Sequence, residues 1–263
     1  MPIHCNQQIR NLSTDQFREL DYRVMRHAFN SHNDLGRLAD ERIYQADMAA
    51  RLTSDGMIVR REIELQLSHQ AFLKQLFLDL VVAESGVYEL KVVKSITEAH
   101  VGQLLTYLML LNLRHGELIN FRSEKVESRF VNAPLGSVSR QSFRVDDGKY
   151  RGDDRFRCLV VNLLRDWGTS LTLSLYSEAI TCLLGGIEVV EAMLPLHRNG
   201  VCLGKQRFQL ASPDFGFTLT AMGQNTAAYQ QQLARLLQHS PLRAIHWINI
   251  THHTVIFNTI LRN

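Results

Sequence analysis

Three charged residues lie in the most apolar part of this sequence. Asp79 is flanked on both sides by runs of Leu, Phe and Val, and only Leu90 separates Glu89 from Lys91 within a second apolar run. Removing a carboxylate or an ammonium group from water costs several kcal/mol unless a partner compensates its charge. Because side chains alternate along a strand, Glu89 and Lys91 should project from the same face. Two carboxylates and one lysine at one point favour a hard divalent cation, with water and a substrate phosphate as its other ligands.

Two predicted strands and a helix must position these groups. The apolar runs on either side of residues 84–86 (Glu-Ser-Gly) predict two buried strands connected as a hairpin. A helix should follow, because Ser95 and Glu98 have the spacing of a capping box and apolar residues then recur at helical intervals. Gln103 and Tyr107 are four residues apart and therefore share one face of that helix.

These residues in combination resemble a known nuclease pattern. The PD-(D/E)xK nuclease superfamily carries an aspartate, then Glu-x-Lys, and in its recombination-exonuclease branch a QxxxY element, which correspond here to Asp79, Glu89, Lys91, Gln103 and Tyr107. Any one of these pieces alone is weak, and the combination is specific.

An upstream segment resembles one bacterial group within that superfamily. Gly36 followed by Glu41-x-x-Tyr44 is similar to the signature of the GxxExxY family, whose YELK, HxxQLxxYL and LINF segments also occur here at 88–91, 100–108 and 118–121. The resemblance covers about residues 15–132, half of the chain.

The resemblance implies a fold and a metal centre. The fold would be α/β (α+β), with a restriction-endonuclease-like mixed central sheet flanked by helices. Asp79, Glu89 and the carbonyl oxygen of Leu90 would bind Mg²⁺ or Mn²⁺. A buried salt bridge to Lys91 is the structural alternative for the two carboxylates.

The resemblance also implies roles for four further side chains. Lys91 would position or activate the attacking water and stabilise the developing charge. Glu41 would be a further acidic group that reaches the metal directly or through water, and its alternative is an exposed helix residue. Gln103 and Tyr107 would orient the nucleic-acid strand or hold the carboxylates.

Composition limits the other possibilities. The 263 residues, 45% of them hydrophobic, suffice for a large core, and a net charge of +3 permits nucleic-acid binding without predicting it. The cysteines contain no CxxC pair, so neither a zinc site nor a disulfide framework is indicated. We expect buried thiols in a reducing cytoplasm, with no signal segment and no membrane span. The four cysteines are Cys5, Cys158, Cys182 and Cys202.

The chain order predicts two domains. Residues 1–13 form an N-terminal tail, 14–133 the nuclease-like domain, 134–155 a linker rich in Gly, Ser, Asp and Arg, and 156–263 a second domain. Within the first domain, helices are expected at 13–29 and 34–52 and strands at 57–67, 116–121 and 126–131. Ser13 and Gln16 have the spacing of a capping box at the start of the first of these helices.

The second half of the sequence repeats the first. Residues 103–121 align without gaps on 232–250, and two further matches occur upstream in the same order. These matches pair Gly36 and Tyr44 with Gly168 and Tyr176, and Phe17-Arg18 with Phe156-Arg157.

The second copy lacks the charged residues of the first. Uncharged residues occupy the four positions that carry charges in the first copy. Leu173 aligns with Glu41, Phe208 lies at or near the position of Asp79, Thr218 aligns with Glu89, and Thr220 aligns with Lys91. We therefore expect 156–263 to be a degenerate copy of the fold, packed on the first like the partner in a homodimer, as a tandem pseudo-dimer.

Three functions are compatible with the sequence. The first is a metal-dependent nuclease that hydrolyses phosphodiester bonds of DNA or RNA. The second is a non-catalytic module that keeps the fold and binds nucleic acid or protein. The third is a structural subunit of a larger protein assembly.

Overall fold

A computed structural model describes residues 3–262, and the chain divides into two compact units. The first unit contains the chain up to Ser68 together with Leu73–Ser137. The second contains His69–Phe72 and the chain from Val138 onwards. Within residues 3–262, none of the helices is both long and apolar enough to cross a bilayer.

The first unit is a six-stranded mixed sheet with three helices. Neighbouring strands follow the order β1-β2-β3-β4-β5-β6, in which β4 and β5 are parallel and the pairs β3/β4 and β5/β6 are antiparallel. The elements are β1 (Ile3–Cys5), α1 (Thr14–Leu35), α2 (Glu41–Ser54), β2 (Val59–His69), β3 (Phe72–Val82), β4 (Gly86–Lys91), α3 (Glu98–Leu110), β5 (His115–Asn120) and β6 (Glu127–Asn132).

The helix ends confirm one predicted capping box and correct another. Ser13 and Gln16 form the capping box of α1 as expected. The predicted box of Ser95 and Glu98 is wrong, because Glu98 is already the first helical residue. The N-cap is Thr97, whose N–H donates to Nδ1 of His100 at 3.1 Å.

The boundary between α1 and α2 also differs from the prediction. The first helix continues to Leu35 and the second begins only at Glu41. Gly36 ends α1 with a φ of 69°, a backbone conformation that favours glycine. The hydroxyl of Tyr44 donates to the carbonyl oxygen of Gly36 at 2.5 Å, which holds the loop between the helices.

Helices cover both faces of the first sheet. A buried apolar cluster joins α1 and α2 to one face, and its members are Phe17, Val24, Ala28, Tyr44, Met48, Leu52, Met57, Leu80, Val82, Tyr88, Leu90, Ile119 and Phe121. On the opposite face α3 approaches β5 closely at Gly116, where an added Cβ would lie 3.2 Å from the side chains of Leu104 and Leu108. The Glu-Leu-Lys triplet therefore runs between two helical layers, with Leu90 on the α1/α2 side.

The second unit contains a second six-stranded mixed sheet. Its strand order is β7-β12-β11-β10-β9-β8, with β10 and β11 parallel. The elements are α4 (Ser137–Gln141), β7 (Arg144–Lys149), α5 (Asp154–Trp167), α6 (Leu173–Leu183), α7 (Ile187–Val190), β8 (Glu191–Arg198), β9 (Val201–Ser212), β10 (Phe215–Thr220), α8 (Thr226–His239), β11 (Ala244–Ile250) and β12 (Thr254–Leu261).

The two units share their order of elements. In each, two helices precede three strands, a helix and two final strands, and the third and fourth of these strands are parallel. The short helices α4 and α7 have no counterpart among the described elements of the first unit, and the edge strands β1 and β7 lie at opposite ends of their sheets. The chain thus carries two mixed sheets flanked by helices, in agreement with the tandem fold expected from the sequence.

Each unit has an asparagine at the corresponding position, and the two asparagines make the same contacts. The side chain of Asn120, at the end of β5, accepts from the N–H of Val93 at 3.0 Å and donates to its carbonyl oxygen at 2.8 Å. Asn249, at the same place in β11, accepts from the N–H of Met222 at 2.7 Å and donates to its carbonyl oxygen at 2.9 Å. We call this contact the asparagine clamp.

Edge strands occupy segments for which a tail and a linker were predicted. Ile3–Cys5 pairs with β2, and Arg144–Lys149 pairs with β12. Both strands obtain their backbone hydrogen bonds from strands distant in sequence, so their local composition carries little signal.

The prediction that the cysteines are buried is wrong. Cys158, Cys182 and Cys202 are exposed and Cys5 is half-buried, and all four are free thiols. They lie on the outward faces of their elements, which the apolar residues around them did not indicate.

Candidate active site

Asp79 lies where the hairpin strands β3 and β4 stop pairing. The register continues to Leu80 opposite Tyr88. One residue further, the carboxylate of Asp79 takes the place of a strand partner: its Oδ2 accepts from the N–H of Leu90 at 2.7 Å. Its Oδ1 accepts from Nε2 of Gln45 at 2.9 Å. Asp79 is buried, and each of its carboxylate oxygens accepts a hydrogen bond from a protein group.

Glu89 and Lys91 project from the same face of β4, as strand alternation predicts. The Lys91 Nζ lies 2.8 Å from Oε1 of Glu89. That oxygen also accepts from Nε2 of Gln103 at 2.9 Å. Glu89 is only 1% exposed, and within residues 3–262 its Oε2 has no hydrogen-bond partner. A buried carboxylate oxygen without a partner is costly in the absence of a cation.

Burial and mutual repulsion determine the charge of the site. Burial raises the pKa of Glu89, and the charge of Asp79 raises it further, whereas Lys91 lowers it by less. Burial likewise raises the pKa of Asp79. For Lys91, burial lowers the pKa, but the charges of Glu89 and Asp79 outweigh burial and the net shift is upward. Lys91 is therefore an ammonium group at neutral pH.

Gln103 and Tyr107 lie one helical turn apart and contact each other. Nε2 of Gln103 donates to the Tyr107 hydroxyl oxygen at 2.9 Å as well as to Glu89. Burial, followed by the charge of Glu89, raises the pKa of Tyr107 to about 12. The phenol therefore keeps its proton at neutral pH and can donate it in a hydrogen bond.

Glu41 and Leu90 contact the centre less directly. Glu41 is half-buried at the first position of α2, and its charge raises the pKa of both Asp79 and Glu89. Among the described residues, its side chain makes no hydrogen bond. Leu90 offers its N–H to Asp79, while its side chain packs in the core.

Two residues near the centre were not predicted from the sequence. Gln45 follows Glu41 by one helical turn, and this spacing was the available signal for its proximity. Glu62 lies in β2 with a φ of 50°, and its charge raises the pKa of Asp79 and Tyr107. Nothing in the local sequence of β2 distinguishes Glu62 from a solvent-facing strand residue.

The donor set fits a divalent cation that keeps several waters. Besides Oε2 of Glu89, the amide oxygen Oε1 of Gln45 is buried without a partner in the part of the chain that the structure describes. No group of three or more His, Cys, Asp or Glu residues within 3–262 has the geometry of a metal cluster. Asp79 and Glu89 would supply two carboxylates, a number typical of Mg²⁺ sites in which water and substrate phosphate complete the shell.

The corresponding positions of the second unit carry no charge. In its sheet, Phe217 pairs with Gln209 as Tyr88 pairs with Leu80, which places Phe208 at the position of Asp79. Thr218 and Thr220 occupy the positions of Glu89 and Lys91. The Thr220 hydroxyl donates to Oδ1 of Asn249 at 2.7 Å, so its hydrogen bonding is internal to the sheet.

Comparison with known proteins agrees with the fold of the first unit. No curated protein and no solved structure matches the chain. Residues 18–131, which contain every side chain of the site in the first unit, match the model of the PD-(D/E)XK nuclease superfamily.

Proposed function

We propose that the protein is a Mg²⁺- or Mn²⁺-dependent nuclease that hydrolyses phosphodiester bonds of DNA or RNA at the site in the first unit. The observation that carries this proposal is the buried group of Asp79, Glu89 and Lys91, in which one carboxylate oxygen has no partner within residues 3–262. The superfamily match of residues 18–131 supports the reaction class.

Asp79, Glu89 and the carbonyl oxygen of Leu90 are the proposed metal ligands. A bound Mg²⁺ or Mn²⁺ neutralises phosphate charge and lowers the pKa of a coordinated water. Gln45 fixes the orientation of Asp79, and Gln103 fixes that of Glu89. Such supporting hydrogen bonds hold ligands ready for the ion.

Lys91 acts as a hydrogen-bond donor in this proposal. Because it carries a proton at neutral pH, it does not remove one from water. Its ammonium group instead orients the attacking water or a phosphate oxygen and stabilises the negative charge that develops in the transition state. The Tyr107 hydroxyl can donate to a second phosphate oxygen, and Glu41 can bind a metal-coordinated water.

Mutation of the charged group tests the proposal. We expect Mn²⁺ to bind the wild-type protein in calorimetry and to support cleavage of labelled DNA or RNA. Asp79→Asn should abolish both, and Lys91→Met should abolish cleavage while leaving metal binding. Glu98→Gln changes an exposed carboxylate and serves as the control.

Two outcomes contradict the nuclease assignment. Cleavage that persists in both variants would mean that this group does not catalyse it. A wild-type protein that binds nucleic acid but no Mn²⁺ would instead favour the non-catalytic binding module.

We further propose that residues 156–263 are a degenerate second copy and that the first unit is related to the GxxExxY family. Tyr176 donates to the carbonyl oxygen of Gly168 at 2.5 Å, as Tyr44 does to Gly36, and both glycines have positive φ. The asparagine clamp also recurs. Residual Mn²⁺ binding in an Asp79→Asn/Glu89→Gln variant would reveal a metal site elsewhere and contradict the degeneracy. A cytoplasmic location remains part of the proposal, and fractionation of cells would test it.

A further inference from the structure

A basic groove lies at the carboxyl ends of the parallel strands β4 and β5 in the first sheet. Its volume is about 550 Å³, and its lining residues are Arg37, Leu38, Lys94, Arg122, Ser123 and Glu124. Arg37 follows α1, Lys94 follows β4 and Arg122 follows β5. Because β4 and β5 are parallel neighbours, their carboxyl ends lie side by side, which brings Lys94 and Arg122 together. We call this feature the basic groove.

The three cations of the basic groove have no acidic partners. All three are exposed, and within residues 3–262 none of Arg37, Lys94 and Arg122 forms an ion pair or a side-chain hydrogen bond. Glu124 is the single acidic lining residue, so the groove carries a net positive charge. A concave surface of one sign concentrates counter-ions of the other sign, here anions.

The backbone around the basic groove is held in place. The asparagine clamp fixes Val93, the residue before Lys94. The His32 ring donates from Nε2 to the carbonyl oxygen of Ser123 at 3.0 Å, next to Arg122. The exposed side chains at the rim therefore project from backbone positions that hydrogen bonds hold in place.

The same segments connect the basic groove to the candidate active site. Lys94 follows Lys91 by three residues, so their Cα atoms are at most about 11 Å apart. Arg37 precedes Glu41 by four residues in the loop that leads into α2. One strand of nucleic acid rises roughly 3.4 Å per phosphate, so a phosphate in the groove lies within a few nucleotides of one at the site.

The second unit has lost these cations together with the acidic site. In the register of the repeat, Thr169, Gly223 and Thr251 replace Arg37, Lys94 and Arg122. The asparagine clamp between the last two positions is retained by Asn249. The fold therefore needs the clamp but not the cations, which disappear along with the groups that could bind metal.

We propose that the basic groove binds the sugar-phosphate backbone of the nucleic-acid substrate, a few nucleotides from the bond that is cleaved. This inference rests on the proposed nuclease function and adds to it a second phosphate-binding subsite. Arg37, Lys94 and Arg122 contact phosphate oxygens and read no base sequence.

Two triple variants with equal charge change test the basic groove. The groove variant is Arg37→Gln/Lys94→Gln/Arg122→Gln. The control is Arg10→Gln/Arg18→Gln/Arg114→Gln, whose side chains lie near the amino ends of β4 and β5. Arg10 pairs with Glu84 just before β4, Arg114 precedes β5, and the charge of Arg18 acts on His115.

Binding is measured without catalysis, by fluorescence anisotropy in EDTA at several NaCl concentrations. The probes are single-stranded and duplex oligonucleotides of DNA and of RNA.

In log-log plots of affinity against salt, loss of three phosphate contacts should reduce the slope by about 2.7 for duplex DNA and about 2 for single strands. We expect the groove variant to bind at least ~10-fold more weakly than the control variant, since counter-ion release supplies most non-specific affinity. Equal losses in both triple variants would assign the effect to net charge and overturn the inference, as would no loss in the groove variant.

A small substrate separates this inference from the proposed function. Bis(4-nitrophenyl) phosphate cannot span the site and the groove, so with Mn²⁺ the groove variant should hydrolyse it at the wild-type rate and lose oligonucleotide cleavage. Wild-type protein that hydrolyses neither substrate, yet shows groove-dependent binding, would refute only the nuclease proposal. If the groove variant cleaved oligonucleotides at the wild-type rate, only the inference about the basic groove would be refuted.

Discussion

Gln103 and Gln232 are the same residue type at corresponding positions, but their surroundings differ. Gln103 donates to Glu89 and to Tyr107. Gln232 is exposed, and Thr218 and Leu236 stand at the positions that correspond to those two partners. A glutamine at both positions would by itself favour a structural role for Gln103, whereas the geometry connects Gln103 to the carboxylate that would bind metal.

Substituting both glutamines should separate positioning from folding. Gln103→Leu removes the hydrogen bond that orients Glu89, and loss of such supporting contacts lowers metal affinity or activity by roughly 10- to 100-fold. Gln232→Leu should change neither. Calorimetry with Mn²⁺ and cleavage rates measure both variants, and equal effects would show that Gln103 has only a structural role.

Only some of the site residues could be predicted from sequence. Strand alternation and the hairpin turn are local, so they suffice to bring Asp79 near Glu89 and Lys91. Gln45 reaches Asp79 only because α2 packs over the end of β3, and Glu62 approaches through a strand with a local positive φ. Both depend on tertiary packing, which the spacing of residues along the chain does not encode.

At the level of elements, one hydrogen bond sets the position of α2. The Tyr44 hydroxyl joins α2 to the carbonyl oxygen of Gly36 at the end of α1. Because Glu41 begins α2, this bond also helps to place an acidic residue at the site. In the second unit the equivalent bond of Tyr176 places Leu173, which has no charge.

Removing either hydroxyl should lower stability, but only one of the two changes should lower activity. Tyr44→Phe loses one hydrogen bond of a buried side chain and should lower the free energy of unfolding by about 0.5–1.5 kcal/mol. Tyr176→Phe should lower it by more, because it also leaves the buried N–H of Leu171 without the hydroxyl that accepts from it. Only Tyr44→Phe should also slow cleavage, since only its helix carries Glu41. Urea unfolding and cleavage assays check this pair. A comparable loss of activity in Tyr176→Phe would argue against a local effect.

The predicted elements were most accurate where the apolar pattern is strong. The β3/β4 hairpin and β5 follow directly from runs of Leu, Val and Ile. The end of α1 depends on the backbone conformation of Gly36, and the cap of α3 on which of several nearby polar residues reaches a free N–H. Such choices between neighbouring caps differ by about 1 kcal/mol, too little for a pattern to resolve.

At the scale of the whole molecule, a second group of ionisable side chains affects stability. Asp21, Tyr88 and Glu117 lie on the α1/α2 side of the first sheet. Within the described residues, one oxygen of each of the three side chains has no hydrogen-bond partner. Burial raises the pKa of Asp21 to about 6, and burial followed by the charge of Asp21 raises that of Glu117 to about 7.

These shifts predict that stability falls as pH rises. A carboxyl whose pKa is higher in the folded than in the unfolded state binds more protons when folded, so its stabilising contribution is complete below about pH 4.5 and is lost as pH rises through about 7. Glu117→Gln keeps the shape without the charge. It should raise the free energy of unfolding at pH 8 by about 1–2 kcal/mol and reduce the decline between pH 5 and pH 8.

Urea unfolding across this pH range measures the effect, with the exposed Glu124→Gln as control. The slope should not vanish, because Asp79 and Glu89 are shifted in the same direction. A decline as steep in Glu117→Gln as in wild type would show that this carboxyl does not titrate as its burial implies.

The asparagine clamp has a consequence for how the two halves are compared. Where two parallel strands separate, Asn120 and Asn249 supply the amide contacts that a neighbouring strand no longer provides. That demand is mechanical and applies whether or not a reaction takes place nearby. If the second unit is a degenerate copy, as proposed, the asparagine would be kept with the architecture, and its presence would not distinguish a nuclease from an inert duplicate.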